Sequence, residues 1–224
     1  MKKPLPLAIL GAIALFLFLF AFHGYEATWQ LWNIPTMMPP FADLRSITGL
    51  SVTVSQGYDP TLYHPGDPWQ RPFNYPPIWK MAVPLGVTPE HTLALGILLI
   101  GFFLIGLYLV FRDLSLTETI FVMLGLLSPA VLLGIERGNI DLFIFFLVAL
   151  AVWLVGKSLP WAAFVLQIAY FLKLYPIFGL PTLLRGKQKT ALLLIALVLG
   201  ISTLYFLSNY QELISILSLT SQIP

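Results

Sequence analysis

The chain has 224 residues, 58% of them hydrophobic and only 10% charged, with a mean hydropathy of +0.86. A soluble domain of this length has too little interior for so many Leu, Ile and Phe side chains, so a water-soluble fold is excluded and an integral membrane protein predicted. The net charge of +2 implies no nucleic-acid partner, the lack of cysteine excludes disulfides, thiolate metal sites and cysteine nucleophiles, and the isolated His23, His64 and His91 show no ligand spacing.

In chain order, Met1-Lys2-Lys3 precedes an apolar run from Leu5 to Phe22 that is long enough to span a bilayer. The following AFHGYEATW lacks the small-x-small pattern of a signal cleavage site, so the run reads as a retained helix, with the lysine pair in the cytoplasm. Residues 24–90 then form the first external loop, most polar from Pro39 to Pro77. Within it, Phe41, Leu44, Ile47, Leu50 and Val54 recur at three- or four-residue spacing and predict an amphipathic helix lying in the membrane interface. Pro39 and Pro40 would start that helix, with Asp43 near its unpaired N–H groups. His64 reads as solvated, and Asp59 and Asp67, each before a proline, as turn residues. Asn74-Tyr75-Pro76-Pro77 fixes the return to the membrane, while Tyr63, Trp69, Tyr75 and Trp79 suit either an interfacial belt or a platform for sugar.

Leu93 to Val110 and Leu116 to Leu133 are two further spans, joined by a cytoplasmic turn at Arg112. An external turn, Gly134-Ile135-Glu136-Arg137-Gly138-Asn139-Ile140-Asp141, leads into a descending span from Leu142 to Val155, closed by Lys157. Residues 161–184 have the length of one helix, but a single span would leave basic residues on both its flanks. Two half-length helices broken between Lys173 and Pro176 resolve this, placing Lys173 outside and Arg185, Lys187 and Lys189 inside. Ala191 to Leu207 is the last span. The predicted fold is all-α: a single transmembrane module over residues 1–224, with about five full spans plus a broken helical hairpin at residues 161–184.

This topology gathers Asp43, Arg45, Glu136, Arg137, Asn139, Asp141 and Lys173 on one external face. Ionisable groups at membrane depth are costly and default to functional candidates: a base, basic phosphate clamps and hydrogen-bonding amides. Each also has a purely structural reading. Asp43 would cap a helix, Glu136 and Arg137 would form a loop ion pair, and Lys173 would snorkel to headgroups.

The order of several short elements resembles the amino-terminal part of the GT-C glycosyltransferases, most closely glycosyltransferase family 87, whose members are polyprenyl-phosphate-mannose-type hexosyltransferases. The elements are Phe41-Ala42-Asp43-Leu44 in the first external loop, Gly57-Tyr58-Asp59-Pro60, Phe73-Asn74-Tyr75-Pro76-Pro77 before the second helix, and Lys173 three residues before Pro176. Two departures stand out. Where the family typically has Gly-Gln-x-Asn, this chain has Gly138-Asn139-Ile140-Asp141, which shortens one amide and turns the other into an acid. Family members also continue through several further helices, so the chain is similar to their front module and is expected to be a fragment or half of a split protein.

The resemblance implies a hexose, mannose by the family's habit, moved with inversion from a polyprenyl-phosphate donor to a glycolipid or glycan hydroxyl. Asp43 would be the general base, Lys173, Arg137 and Arg45 would bind the donor phosphate, and Glu136, Asn139, Asp141 and Tyr75 would contact substrate. It implies no cofactor and no metal, and a multi-pass position in a bacterial plasma membrane with the active face external. The alternative is a non-catalytic protein, either a lipid-linked-sugar transporter or a supporting subunit. Against a transporter, the sequence lacks internal repeats.

Overall fold

A computed structural model describes residues 4–220, so Lys2 and Lys3, which orient the predicted topology, lie outside the described residues. The described chain is all-helical, as expected. The first helix, α1 (Pro4–His23), is apolar all round and leaves Leu7, Leu10, Leu17, Phe18 and Phe22 exposed, as lipid-facing side chains are. It ends at Gly24, whose φ of 79° begins the turn into α2 (Tyr25–Gln30).

Two short helices follow, α3 (Ala42–Thr48) and α4 (Leu50–Ser55), then a 3₁₀ helix (Pro77–Ala82) and a 3₁₀ turn (Pro89–His91) that runs into α5 (Thr92–Phe111). The periodic residues Leu44, Ile47 and Leu50 are 3%, 2% and 0% exposed and belong to the central apolar core with Leu99, Ile140 and Ile144. This corrects the predicted interfacial helix: the apolar stripe is covered by protein, because α3 packs against α5, α7 and the 3₁₀ segments. The helix also breaks at Gly49, where the backbone of Gly66 crosses so closely that neither residue has room for a Cβ.

Next come α6 (Leu116–Leu126) and α7 (Pro129–Arg137), bent by 56° at Ser128 and Pro129, so the predicted straight span from Leu116 to Leu133 is a broken one. The sequence signals at the ends of the pair are plain. Ser115 and Glu118 form a reciprocal capping box at the start of α6, and Gly138 closes α7 in the left-handed conformation.

The core of the bundle is α8 (Asp141–Val155), packed between α5 and α9 (Leu159–Leu172). A third 3₁₀ stretch (Tyr175–Arg185), then α10 (Gln188–Ser208) and α11 (Tyr210–Thr220), complete the described chain. Within residues 161–184, α9 ends at Leu172 and the chain turns back as the Tyr175–Arg185 segment against α9.

Among the described residues, three helices, α1, the segment Pro89–Phe111 and α10, are long and apolar enough to cross a bilayer, or four if the bent α6–α7 pair is one span. Helix α8, predicted as a full span, has 15 residues, roughly 22 Å of length against a hydrocarbon core of about 30 Å. It and α9 supply Ile144, Leu147, Ala151, Ala163, Leu166 and Ala169 to the protein core, whereas α1, α5 and α10 present apolar side chains outward. The chain is an integral membrane protein.

Candidate active site

The position of Asp43 is set by the residue two before it. Phe41 adopts a left-handed backbone (φ 63°, ψ 49°), which is costly for a bulky side chain. Its ring lies where a Cβ on Gly96 of α5 would be, and a Cβ on Gly138 would come within 2.9 Å of Phe41 Cβ. Phe41 N–H also donates to the Glu136 carbonyl at 3.3 Å. Gly138 and one backbone bond thus join the start of α3 to the turn between α7 and α8, while Gly96 seats the Phe41 ring on α5.

That junction brings the Asn139 amide to Asp43. Asn139 Nδ2 donates to Asp43 Oδ2 at 2.8 Å, while Asn139 Oδ1 accepts from Asp141 N–H at 2.9 Å. Because Oδ1 must be the acceptor of a backbone N–H, the donor end of the amide faces the carboxylate.

Arg71 approaches Asp43 from the other side, with Nη1 at 3.4 Å from Asp43 Oδ1. Its Nη2 donates to the Ala42 carbonyl and, at 2.9 Å, to Asp67 Oδ2, and its Nε donates to the same oxygen at 3.1 Å. Asp67 is fully buried and also accepts from Trp69 N–H at 2.8 Å. The expected turn role of Asp67 is therefore present, but the carboxylate is also half of a buried fork; losing one member of such a pair costs ~3–5 kcal/mol.

His64 is buried beside this pair, against the expectation that it is solvated. Its Nε2 is within 2.8 Å of the Ser46 carbonyl, which can only accept, so Nε2 carries the proton; Nδ1 then accepts from the Thr53 hydroxyl. Burial, ahead of every other influence, pushes the imidazole below its ordinary value.

Lys173 faces Asp43 across the cavity. The residue is extended (φ −151°, ψ 137°) where α9 stops, and its ammonium pairs with Asp141 Oδ1 at 2.8 Å. Tyr175 Oη donates to the same oxygen at 2.7 Å. The Tyr75 ring lies 5.9 Å from Lys173 Nζ, and burial first, then the Asp43 carboxylate, pushes its phenol up and keeps it neutral. Trp79 Nε1 donates to the Leu172 carbonyl at 2.9 Å, tying the end of α9 to the 3₁₀ helix Pro77–Ala82.

Asp43, Arg71, Asn139, Tyr75 and Lys173 together line one cavity of about 590 Å³, closed on one side by Leu213 and Ile216 of α11. Four of the residues expected to act are therefore gathered: Asp43, Asn139, Lys173 and Tyr75. Asp141 touches the cavity through Lys173 and Tyr175. The other three lie elsewhere. Arg45 Nε donates to the Pro40 carbonyl at 2.8 Å. Glu136, fully buried, accepts from Met37 N–H at 3.0 Å and Tyr25 Oη at 3.3 Å, and pairs with Arg137 Nε at 3.1 Å. Arg137 Nη2 donates to the Pro35 carbonyl at 3.0 Å. These contacts pin the segment before α3 onto α7.

Arg71 was not among the residues singled out in the sequence. Its spacing of four from Asp67 hints at a local pair, but its contact with Asp43 spans 28 positions and has no local signature. Among the described residues, no three His, Asp or Glu side chains gather at metal-ligand spacing.

The arrangement holds a carboxylate in a fixed orientation beside Arg71, in a cavity that Lys173 also lines, which suits proton abstraction beside a developing anion. In comparisons with known proteins, the model of glycosyltransferase family 87 matches residues 73–211. That range takes in Tyr75, Asn139, Asp141 and Lys173, while Asp43 and Arg71 lie upstream of it. No curated protein and no solved structure matches the chain.

Proposed function

The chain belongs to glycosyltransferase family 87, and from that premise we propose that it moves a hexose, mannose by family resemblance, from a polyprenyl-phosphate donor to an acceptor hydroxyl, with Asp43 as the general base. The acceptor oxygen attacks the anomeric carbon as the bond from that carbon to the phosphate oxygen breaks. The bonding pair leaves with the phosphate, the hydroxyl proton passes to Asp43, and a single displacement inverts the anomeric centre. Lys173 is the cation assigned to the departing phosphate; Arg71, engaged by Asp67, the Ala42 carbonyl and Asp43, and Arg137, engaged by Glu136 and Pro35, are not assigned to it.

One observation carries this reading: the Asp43 carboxylate, held by Asn139 on one oxygen and Arg71 on the other, opens into the same cavity as Lys173. A lipid-linked donor is supported by an apolar groove of about 400 Å³ lined by Leu44, Trp79, Phe102 and Leu172, which begins one residue from both Asp43 and Lys173. The excess of short-loop basic residues on the opposite face supports an external, periplasmic-type site.

The test is transfer of labelled mannose from its polyprenyl phosphate by the membrane-inserted protein. Asp43→Asn keeps the shape and loses the base, and is expected to lower the rate by about 10²–10⁴-fold with normal insertion. A variant that transfers at the wild-type rate refutes the assignment. Wild-type protein that binds the donor but transfers to no lipid or glycan acceptor would instead support a carrier or supporting subunit.

A further inference from the structure

We propose that Arg71, clamped by the buried Asp67, is the positioning residue that orients the Asp43 carboxylate for proton abstraction; this rests on the reading of Asp43 as the base. A carboxylate turns easily about its Cβ–Cγ bond, and a single hydrogen bond from Asn139 to Oδ2 does not stop it. The contact from Arg71 Nη1 to Oδ1 supplies the second point. Two points fix the plane of the carboxylate, and with it the lone pair that faces the acceptor.

Arg71 is suited to this because its own plane is fixed by groups that do not belong to the cavity. Its Nε and Nη2 are taken by Asp67, a fully buried acid that is itself held by Trp69 N–H. The Nη2 group also meets the carbonyl of Ala42, the residue next to Asp43, so one rigid fork indexes both the backbone and the side chain of the start of α3. The Trp69 ring, centred 5.0 Å from Arg71 Cζ, stacks beneath the guanidinium. A group meant only to receive a phosphate would not need the Ala42 contact. An ammonium at this position would satisfy Asp67 but could not span Asp67, Ala42 and Asp43 together.

Steady-state transfer from polyprenyl-phosphate mannose, on the full membrane-inserted chain, separates the possibilities. Arg71→Ala is expected to lower kcat about 100-fold, the effect of losing alignment by about an ångström, while the donor KM stays within about 3-fold. Added guanidinium ion is expected to restore at least about a tenth of the lost rate, because it refills the cation without the tether. Arg71→Lys keeps a charge for Asp67; it is expected to fold normally, lose about 10-fold in kcat and ignore guanidinium. Asp67→Asn, which loosens the fork, is expected to lower kcat in the wild-type background and to add little to Arg71→Lys.

A raised donor KM with unchanged kcat in Arg71→Ala would assign the residue to substrate binding and overturn the proposal. So would wild-type kinetics in Arg71→Lys, which carries the test if the alanine variant fails to fold. Asp43→Asn in the same assay tells the two readings apart: an active Asp43→Asn removes the base itself, whereas an inactive Asp43→Asn beside a fully active Arg71→Ala overturns only the positioning role.

Discussion

Gly66→Ala is a single methyl added far from any reacting atom, and the structure makes it disruptive. A Cβ on Gly66 would lie 2.8 Å from Gly49 C and 2.9 Å from Thr53 Oγ1, and closer still to Gly49 O. Ordinary carbon contacts are about 3.5–4.0 Å, so the shortfall against Gly49 C is roughly 0.7 Å or more. The obstacle is backbone at the junction of α3 and α4, which has no rotamer to change. Overpacking of this kind costs about 1–3 kcal/mol, or roughly 2–12 °C in Tm for a chain of this size.

The functional cost follows from what comes next in the chain. Asp67 adjoins Gly66 and fixes Arg71, so parting the two backbones moves the Asp67–Arg71 fork away from Asp43. A misplacement of about an ångström lowers a rate about 100-fold. Detergent-solubilised protein gives Tm by intrinsic Trp fluorescence, and the same preparation gives the transfer rate. Gly11→Ala, on the lipid side of α1 with nothing within 4 Å of its added Cβ, is the control expected to change neither. A Gly66→Ala protein with wild-type Tm and wild-type rate would refute the packing argument and the link from loop to site.

Lys173→Ala removes one of the two cations of the cavity and is expected to raise the donor KM about 10-fold, a loss of roughly 1.4 kcal/mol of binding, with a smaller effect on kcat; an unchanged KM would remove Lys173 from the phosphate. His64 predicts a pH dependence of stability. Its folded value lies below the 6.5 of a free imidazole, so between the two the unfolded chain binds more protons. Stability is full above about pH 6.5, falls as the pH drops toward the folded value and levels below it. Melting curves from about pH 8 to about pH 5 should show that fall, and His64→Gln should flatten it; an equal fall in both proteins would trace it to other groups.

The hydrophobic surplus, the 3.6-residue periodicity and the proline positions are local properties, and they were enough to predict an all-helical membrane protein. The break before Pro176 was legible for the same reason, because a proline's lost donor acts within a turn of helix. Asp43, Asn139, Lys173 and Tyr75 stood out as polar groups in an apolar chain. Periodicity gives the width of an apolar stripe but not what covers it, so Leu44, Ile47 and Leu50 predicted a helix in the membrane interface when they face the core. Tertiary packing decided that point. It also decided which charges meet: Glu136 and Arg137 bind the segment before α3, while Arg71, a loop residue without a motif, reaches Asp43 because two facing glycines let the loop cross α3 and α4 at backbone contact. Such contacts join positions far apart in the chain, and their energies depend on distances that no window of sequence contains.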